Sequence, residues 1–275
     1  MKFTIKDNNS AVGIIELFKV IKNLNNYCTL CCKKDELWIQ AMDGSHVCLF
    51  DLKIKKEWFD EYEANEEIIS FNSNIIVKIL NLYSQDALLN FETSKNEEFL
   101  NINLCYQDNN EKSFVIPLID IETDMLTPQE MDSSIEFEMN TKQFDKYISE
   151  MLLFGESVEI KCVDDNLYLK CKGDEGKYTA KIPHDNLENF EVVEDCNTKI
   201  SASIKYFSYI SKVHGIFKTL QFKLDENAPI CIQINNNEYL SMLYFIAPKT
   251  DDDNNNENDV YDDEDELEDL ENEIV

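Results

Sequence analysis

The stretch LWIQAMDGSHVCLFDLKI, Leu37 to Ile54, decides how this chain is read. Two apolar-rich runs, LWIQAM and HVCLFDLKI, flank Asp43-Gly44-Ser45. Alternating or fully apolar runs of this length are strands, and the residues between them form a turn in which Gly44 permits a positive φ. The pattern then recurs. An offset of 130 residues lays Leu30, Cys32, Asp35, Leu37, Trp38 and Ile39 over Ile160, Cys162, Asp165, Leu167, Tyr168 and Leu169. The same offset lays Ile14, Leu17, Phe18, Ile21 and Leu24 over Phe144, Tyr147, Ile148, Met151 and Phe154. With a slip of one residue, Phe114-Val115-Ile116-Pro117 falls on Phe245-Ile246-Ala247-Pro248. The chain therefore reads as one domain written twice, and tandem copies of a fold usually build a symmetric object.

Each half opens with a short strand, MKFTIK and then SIEFEM. Apolar residues at helical spacing follow at residues 10–24 and 141–154, and a second helix per half is predicted at Ser73 to Tyr83 and Ile204 to Val213. YCTLCC, VEIKC, NLYLKC, KYTAKI and the late runs ALLNFET, FLNINLCY, SFVIPL, TLQFKL, ICIQIN and YLSMLYFIAP read as strands. The predicted class is α+β: two similar domains, each with two helices packed on antiparallel sheets. Domain limits of 1–118 and 135–249 leave an acidic, polar connector at 119–134 and an acidic tail at 250–275 read as disordered. Leu267, Leu270 and Ile274 could line one face of a bound helix within that tail.

Composition sets outer limits. No apolar run approaches the roughly 18 residues of a membrane span, and MKFTIKDNNS lacks a signal-peptide layout, so the expectation is a soluble intracellular protein. Nine scattered cysteines suit reduced thiols better than a disulfide framework. Net charge is −30, and residues 251–275 hold 14 acidic residues and no basic one. The rest keeps 41 acidic against 25 basic residues. An acidic body argues against nucleic acid unless one surface gathers the cations. Lys19 and Lys22 lie off the apolar stripe of the first helix, and Lys78, Lys146, Lys205 and Lys212 fall on the other three, as either a solvated face or a cationic one.

Few residues suggest chemistry. Cys28-x-x-Cys31 invites a zinc reading, but Cys28 and Cys32 occupy alternating strand positions, and no second CxxC or spaced histidine pair appears. Asp43, Ser45 and His46 are too close in sequence for a triad built from distant segments. Neither a GxGxxG nor a GxxxxGK[ST] run occurs. No metal, cofactor or enzymatic activity is expected.

At AMDGSHVCLFDLKI the sequence resembles the sliding clamps of the proliferating cell nuclear antigen (PCNA) family, which carry a similar Ala/Ser-Met-Asp-x-Ser-His-Val stretch after the first helix. WFDEY (Trp58 to Tyr62) is similar to the family's Gly-Phe-Asp-x-Tyr. Leu118, Asp120 and Glu122 match its connector, and Leu243 to Lys249 its terminal Lys-Tyr-Tyr-Leu-Ala-Pro-Lys. The resemblance spans residues 1–249, and the acidic trailer has a shorter counterpart.

The resemblance implies a homotrimeric ring around duplex DNA, with helices lining the hole. Lys19, Lys22, Lys78, Lys146, Lys205 and Lys212 would face DNA, in a weak, sequence-independent contact suited to sliding. Ile15, Glu16, Asn81, Ser149 and Leu153 stand where the family often has further cations, so the lining is thinner. Subunits would join through edge strands carrying Lys112, Phe114 and Ile116 on one copy and Tyr178, Ala180 and Ile182 on the next. A pocket for partner peptides would be lined by Met42, His46, Val47, Leu49, Leu126, Pro229, Phe245, Ala247 and Pro248. The connector is one residue shorter than the family's between Leu126 and Pro128. Implied partners are a DNA polymerase, other proteins with clamp-binding peptides, and a clamp-loader ATPase, in the nucleus or at a cytoplasmic viral replication site. The rivals are a subunit of a heterotrimeric checkpoint or specialised clamp, a viral factor that is not a homotrimer, and an acidic interaction module that never touches DNA.

Overall fold

The computed structural model describes residues 1–94, 98–121, 125–128, 132–164, 166–193, 198–215 and 217–249. The disordered-tail expectation for 250–275 lies outside them, as does Glu122. The first half runs β1 (Lys2–Ile5), α1 (Asn8–Leu24), β2 (Tyr27–Cys32), β3 (Glu36–Met42), β4 (Cys48–Lys55), β5 (Glu61–Glu63), β6 (Glu67–Asn72), α2 (Ser73–Leu80), β7 (Ala87–Glu92), β8 (Phe99–Tyr106) and β9 (Glu111–Pro117). The second half repeats this order as β10 (Ile135–Asn140), α3 (Thr141–Met151), β11 (Ser157–Val163), β12 (Asn166–Gly173), β13 (Gly176–Pro183), β14 (Glu188–Val192), β15 (Lys199–Ser203), α4 (Ile204–Ile210), β16 (Thr219–Leu224), β17 (Ile230–Asn237) and β18 (Leu240–Ile246).

Three of the four α-helices start where a side chain satisfies their first free amides. The Asp7 carboxylate accepts from the Ser10 N–H to open α1, and the Asn72 and Asn140 side chains do the same for α2 and α3 directly after a strand. The stripe Ile14, Leu17, Phe18 and Ile21 is buried against the sheet, as its spacing predicts. Around it, Phe3 stacks on Phe91 at 4.5 Å; in the second half Phe137 stacks on Phe222 at 4.8 Å. Each such buried ring contributes about 2 kcal/mol.

Three sheets result. One has the order β5-β1-β7-β8-β9, one the order β13-β12-β11-β15, and the third β14-β10-β16-β17-β18-β4-β3-β2-β6. The nine-stranded sheet is the second half's β14-β10-β16-β17-β18 joined to the first half's β4-β3-β2-β6 by pairing β18 with β4, Tyr244 opposite Phe50. The four helices pack on one another, α1 on α2, α3 on α4 and α1 on α4, as a layer continuous across the two halves.

Two sequence expectations are corrected. Ile102 pairs with Phe114 and Ile232 with Tyr244, so Phe114 corresponds to Tyr244 rather than to Phe245. A one-residue slip would turn Phe114 and Ile116 outward, whereas the ladder sends Ile116, like Tyr244 and Ile246, into the core. At the β3–β4 turn, the positive φ belongs to His46 (φ 59) and not to Gly44. The reason is the Asp43 carboxylate, which accepts from the Ser45, Val47 and Cys48 N–H groups and closes the loop with His46 left-handed.

Candidate peptide groove, helix face and sheet edges

Six of the nine expected groove residues meet. His46, Val47, Leu49, Pro229, Phe245 and Ala247, together with Pro128, surround an open cavity of about 340 Å³. The sequence alone places them in three remote segments. The β18–β4 pairing unites them, and the Ala247 N–H extends it by donating to the Val47 carbonyl at 2.8 Å. Met42 and Leu126 instead line an adjoining, more polar cavity of about 460 Å³ with Asn25, Thr29 and Gln40; His46 borders both. Pro248 lines neither.

The loop under the groove is tied to the other half. The Tyr206 hydroxyl, on α4, donates to the buried Asp43 carboxylate at 2.8 Å, and the Tyr244 hydroxyl donates to the Tyr206 carbonyl at 2.9 Å. Burial would raise the Asp43 pKa, but the donors from Cys48, Tyr206, Ser45 and Val47 together outweigh it and hold the carboxyl below its ordinary range. This carboxylate is a structural hub, holding the Ser45, Val47 and Cys48 amides of its own loop together with the Tyr206 hydroxyl of α4. Cys28 and Cys32 face the core, where burial pushes the Cys32 thiol up to about 12.

The six lysines divide into two kinds. Lys19 lies 2.6 Å from Glu16, Lys146 lies 3.8 Å from Glu150, and Lys212 lies 2.7 Å from Asp145. Among the described residues, no carboxylate stands within salt-bridge distance of Lys22, Lys78 or Lys205, and the Lys205 ammonium sits 5.0 Å from the Tyr206 ring centre. Lys78 and Lys205 are exposed, whereas Lys22 is half-buried. Ile15 is buried and packs rather than lines a surface. All 25 basic residues are lysines, so the chain has no arginine fork with which to grip a phosphate.

The strands β9 and β13 each end a sheet. Lys112, Phe114 and Ile116 alternate on the first, and Tyr178, Ala180 and Ile182 on the second. Beside β13, the end of α3 leaves Leu153 71% exposed, and Glu150 accepts from the Tyr178 hydroxyl at 2.7 Å. Beside β9's core face, Val115 is 59% exposed on the opposite side. Exposed aliphatic groups next to free strand edges mark a surface that another chain can cover. Leu153, which stands where the resemblance places a cation in other family members, adds exposed apolar surface beside that edge.

A duplicated α+β chain with a continuous helix layer, edge strands β9 and β13 flanked by exposed aliphatic residues, and an apolar groove beside its connector defines the class of DNA clamps. The model of the PCNA N-terminal domain matches residues 5–127 and that of the C-terminal domain matches residues 127–249. "Probable DNA polymerase sliding clamp 2" of Paramecium bursaria Chlorella virus 1 is 30% identical over 258 residues, covering 93% of this chain and 94% of that protein. The proliferating cell nuclear antigen of Chaetomium thermophilum is 24% identical over 240 residues, covering 85% and 93%. A crystal structure of a PCNA2–PCNA3 complex from Sulfolobus tokodaii superposes with a TM-score of 0.80 at 21% identity, over 90% of this chain and 99% of that one, a likeness of fold. The chain belongs to the proliferating cell nuclear antigen family: it is a DNA sliding clamp.

Proposed function

We propose that three copies close head to tail into a ring that encircles duplex DNA and tethers DNA polymerases and other proteins, without catalysis of its own. One observation carries the reading. β9 is the counterpart of β18, and β13 is the counterpart of β4; within the chain, β18 and β4 are paired. Repeating that joint between chains pairs the edges of β9 and β13, and a head-to-tail contact of this kind closes by rotation.

The internal joint also supplies a register. Tyr244 corresponds to Phe114 through the β17 and β8 ladders, and Phe50 corresponds to Tyr178 through the β3 and β12 ladders. Phe114 of one subunit then stands opposite Tyr178 of the next, Lys112 opposite Ala180 and Ser113 opposite Thr179. Glu111 falls opposite Lys181, a pair of opposite charges on the outward face.

In this ring, Lys22, Lys78 and Lys205 carry most of the attraction to phosphates, while Lys19, Lys146 and Lys212 are offset by their own carboxylates. The contact is weak and non-directional, and enclosure keeps the protein on DNA. The cavity at His46, Leu49, Pro229 and Phe245 takes the aromatic anchors of a partner peptide, with Met42, Leu126 and Pro248 at its approaches. Domains of 1–118 and 135–249 flank a connector of 119–134. A loader ATPase opens the ring, in the nucleus or at a viral replication site.

Two measurements test this. The native mass of the purified chain should be three times 32.1 kDa; a monomer would favour a heterotrimer subunit. After loading, the protein should remain on closed circular DNA and leave when the circle is cut. Equal retention on both would refute encirclement.

A further inference from the structure

Gln40 makes a contact that strand periodicity does not call for. Its side-chain carbonyl accepts from the Leu126 N–H at 2.7 Å, and its amide nitrogen donates to the Leu126 carbonyl at 2.8 Å. The same nitrogen donates to the Asp51 carboxylate at 2.8 Å, on which the Trp38 indole N–H also converges at 2.6 Å. Asp51 is buried, so the anchor is built into the sheet. Upstream, the connector is held by its own backbone, the Ile119 N–H donating to the Ser70 carbonyl.

The side-chain type is dictated at this point. Leu126 offers one donor and one acceptor, and Asp51 offers only acceptors. Glutamine matches all three, with its carbonyl toward the Leu126 N–H and both amide hydrogens used. Glutamate has no hydrogen to give, and asparagine is one methylene shorter. Leu126 is 45% exposed, so its apolar side chain is only partly packed. Two residues further on, Pro128 forms the rim of the cavity at His46 and Phe245.

We infer that Gln40 is the positioning residue of the partner groove: its amide stands in for a neighbouring strand at Leu126 and thereby sets where Pro128 closes the cavity. The inference deepens the groove reading proposed above and rests on it for its consequence. An unpinned connector samples positions in which the rim is displaced, and apparent affinity falls with the fraction that is competent.

The test uses the full chain, with Gln40→Ala and Gln40→Met. The second keeps length and apolar volume but has no amide, so it separates hydrogen bonding from packing. Hydrogen exchange over 125–128 should accelerate in both variants, while native mass stays unchanged and melting temperature falls modestly and alike in the two, because each removes one donor from the buried Asp51 carboxylate. A synthetic fluorescent peptide with two adjacent aromatic residues should bind both about tenfold more weakly than wild type. Unaltered exchange at Leu126 in Gln40→Met would overturn the inference, and so would accelerated exchange with unaltered peptide affinity. A wild-type protein that ignores such peptides would sink the groove reading instead; exchange at Leu126 would then decide alone whether Gln40 places the connector.

Discussion

The proposed subunit register can be tested by disulfide trapping. Ser113→Cys and Thr179→Cys, combined in one chain, place thiols directly opposite across the joint between β9 and β13. Both sites are exposed in the single chain, on the outward face. Directly opposed residues of an antiparallel pair have Cα atoms about 4.5–5.5 Å apart, inside the roughly 4.4–6.8 Å that a disulfide spans. The fair competitors are Lys177 and Lys181, the same-face neighbours of Thr179. A diagonal neighbour lies about 7–8 Å away, beyond that reach. Mild oxidation followed by non-reducing electrophoresis should therefore give a covalent trimer with Ser113→Cys/Thr179→Cys. Ser113→Cys/Lys177→Cys and Ser113→Cys/Lys181→Cys should give little. The single-cysteine chains control for native thiols, of which Cys105 and Cys31 are partly exposed. Efficient trapping by a Lys177 or Lys181 combination, with none at Thr179, would refute the transfer of register from β18–β4 to β9–β13.

Three further outcomes are expected. Lys78→Glu should reduce polymerase stimulation more than Lys146→Glu, because Glu150 already offsets Lys146; the trimer mass should not change, and equal or absent effects would count against the helix face. Tyr206→Phe removes one donor from Asp43 and should cost about 1–2 kcal/mol in urea unfolding at neutral pH. Because the folded carboxyl titrates below its ordinary range, that contribution is complete above about pH 4 and fades as pH falls through the folded value. The difference between the two proteins should shrink in acid, and a constant difference would assign the effect to packing. Removing 250–275 should leave the trimer intact by native mass, and its dissociation would give the tail a part in assembly.

Much of the architecture is legible before any coordinates. The helical stripe beginning at Ile14 and the alternation around Leu37 give elements within a few residues of α1, α2, α3, β3 and β4. β5, β6, β14 and β15 escape because they are short, edge-lying or charge-rich, and their pairing comes from neighbours rather than from alternation. The slip at Phe114 arises because Phe-x-x-Pro aligns better than the ladder does. Glu16 and Glu150 are visible as helix neighbours of Lys19 and Lys146, whereas Asp145 reaches Lys212 from another element. Gln40 gives no signal at all: a single polar residue on a strand is ordinary, and its partner is a main-chain group 86 positions away.

The joint between β18 and β4 has reinforcements that the proposed joint between chains would not share. Tyr206 grips Asp43, and Ala247 continues the ladder to Val47. Strain applied to a closed hoop would therefore breach it between molecules, with each subunit moving as a stiff arc. In the proposed ring, prying one seam apart would expose a single pair of strand borders, so opening would have only a local contact to overcome.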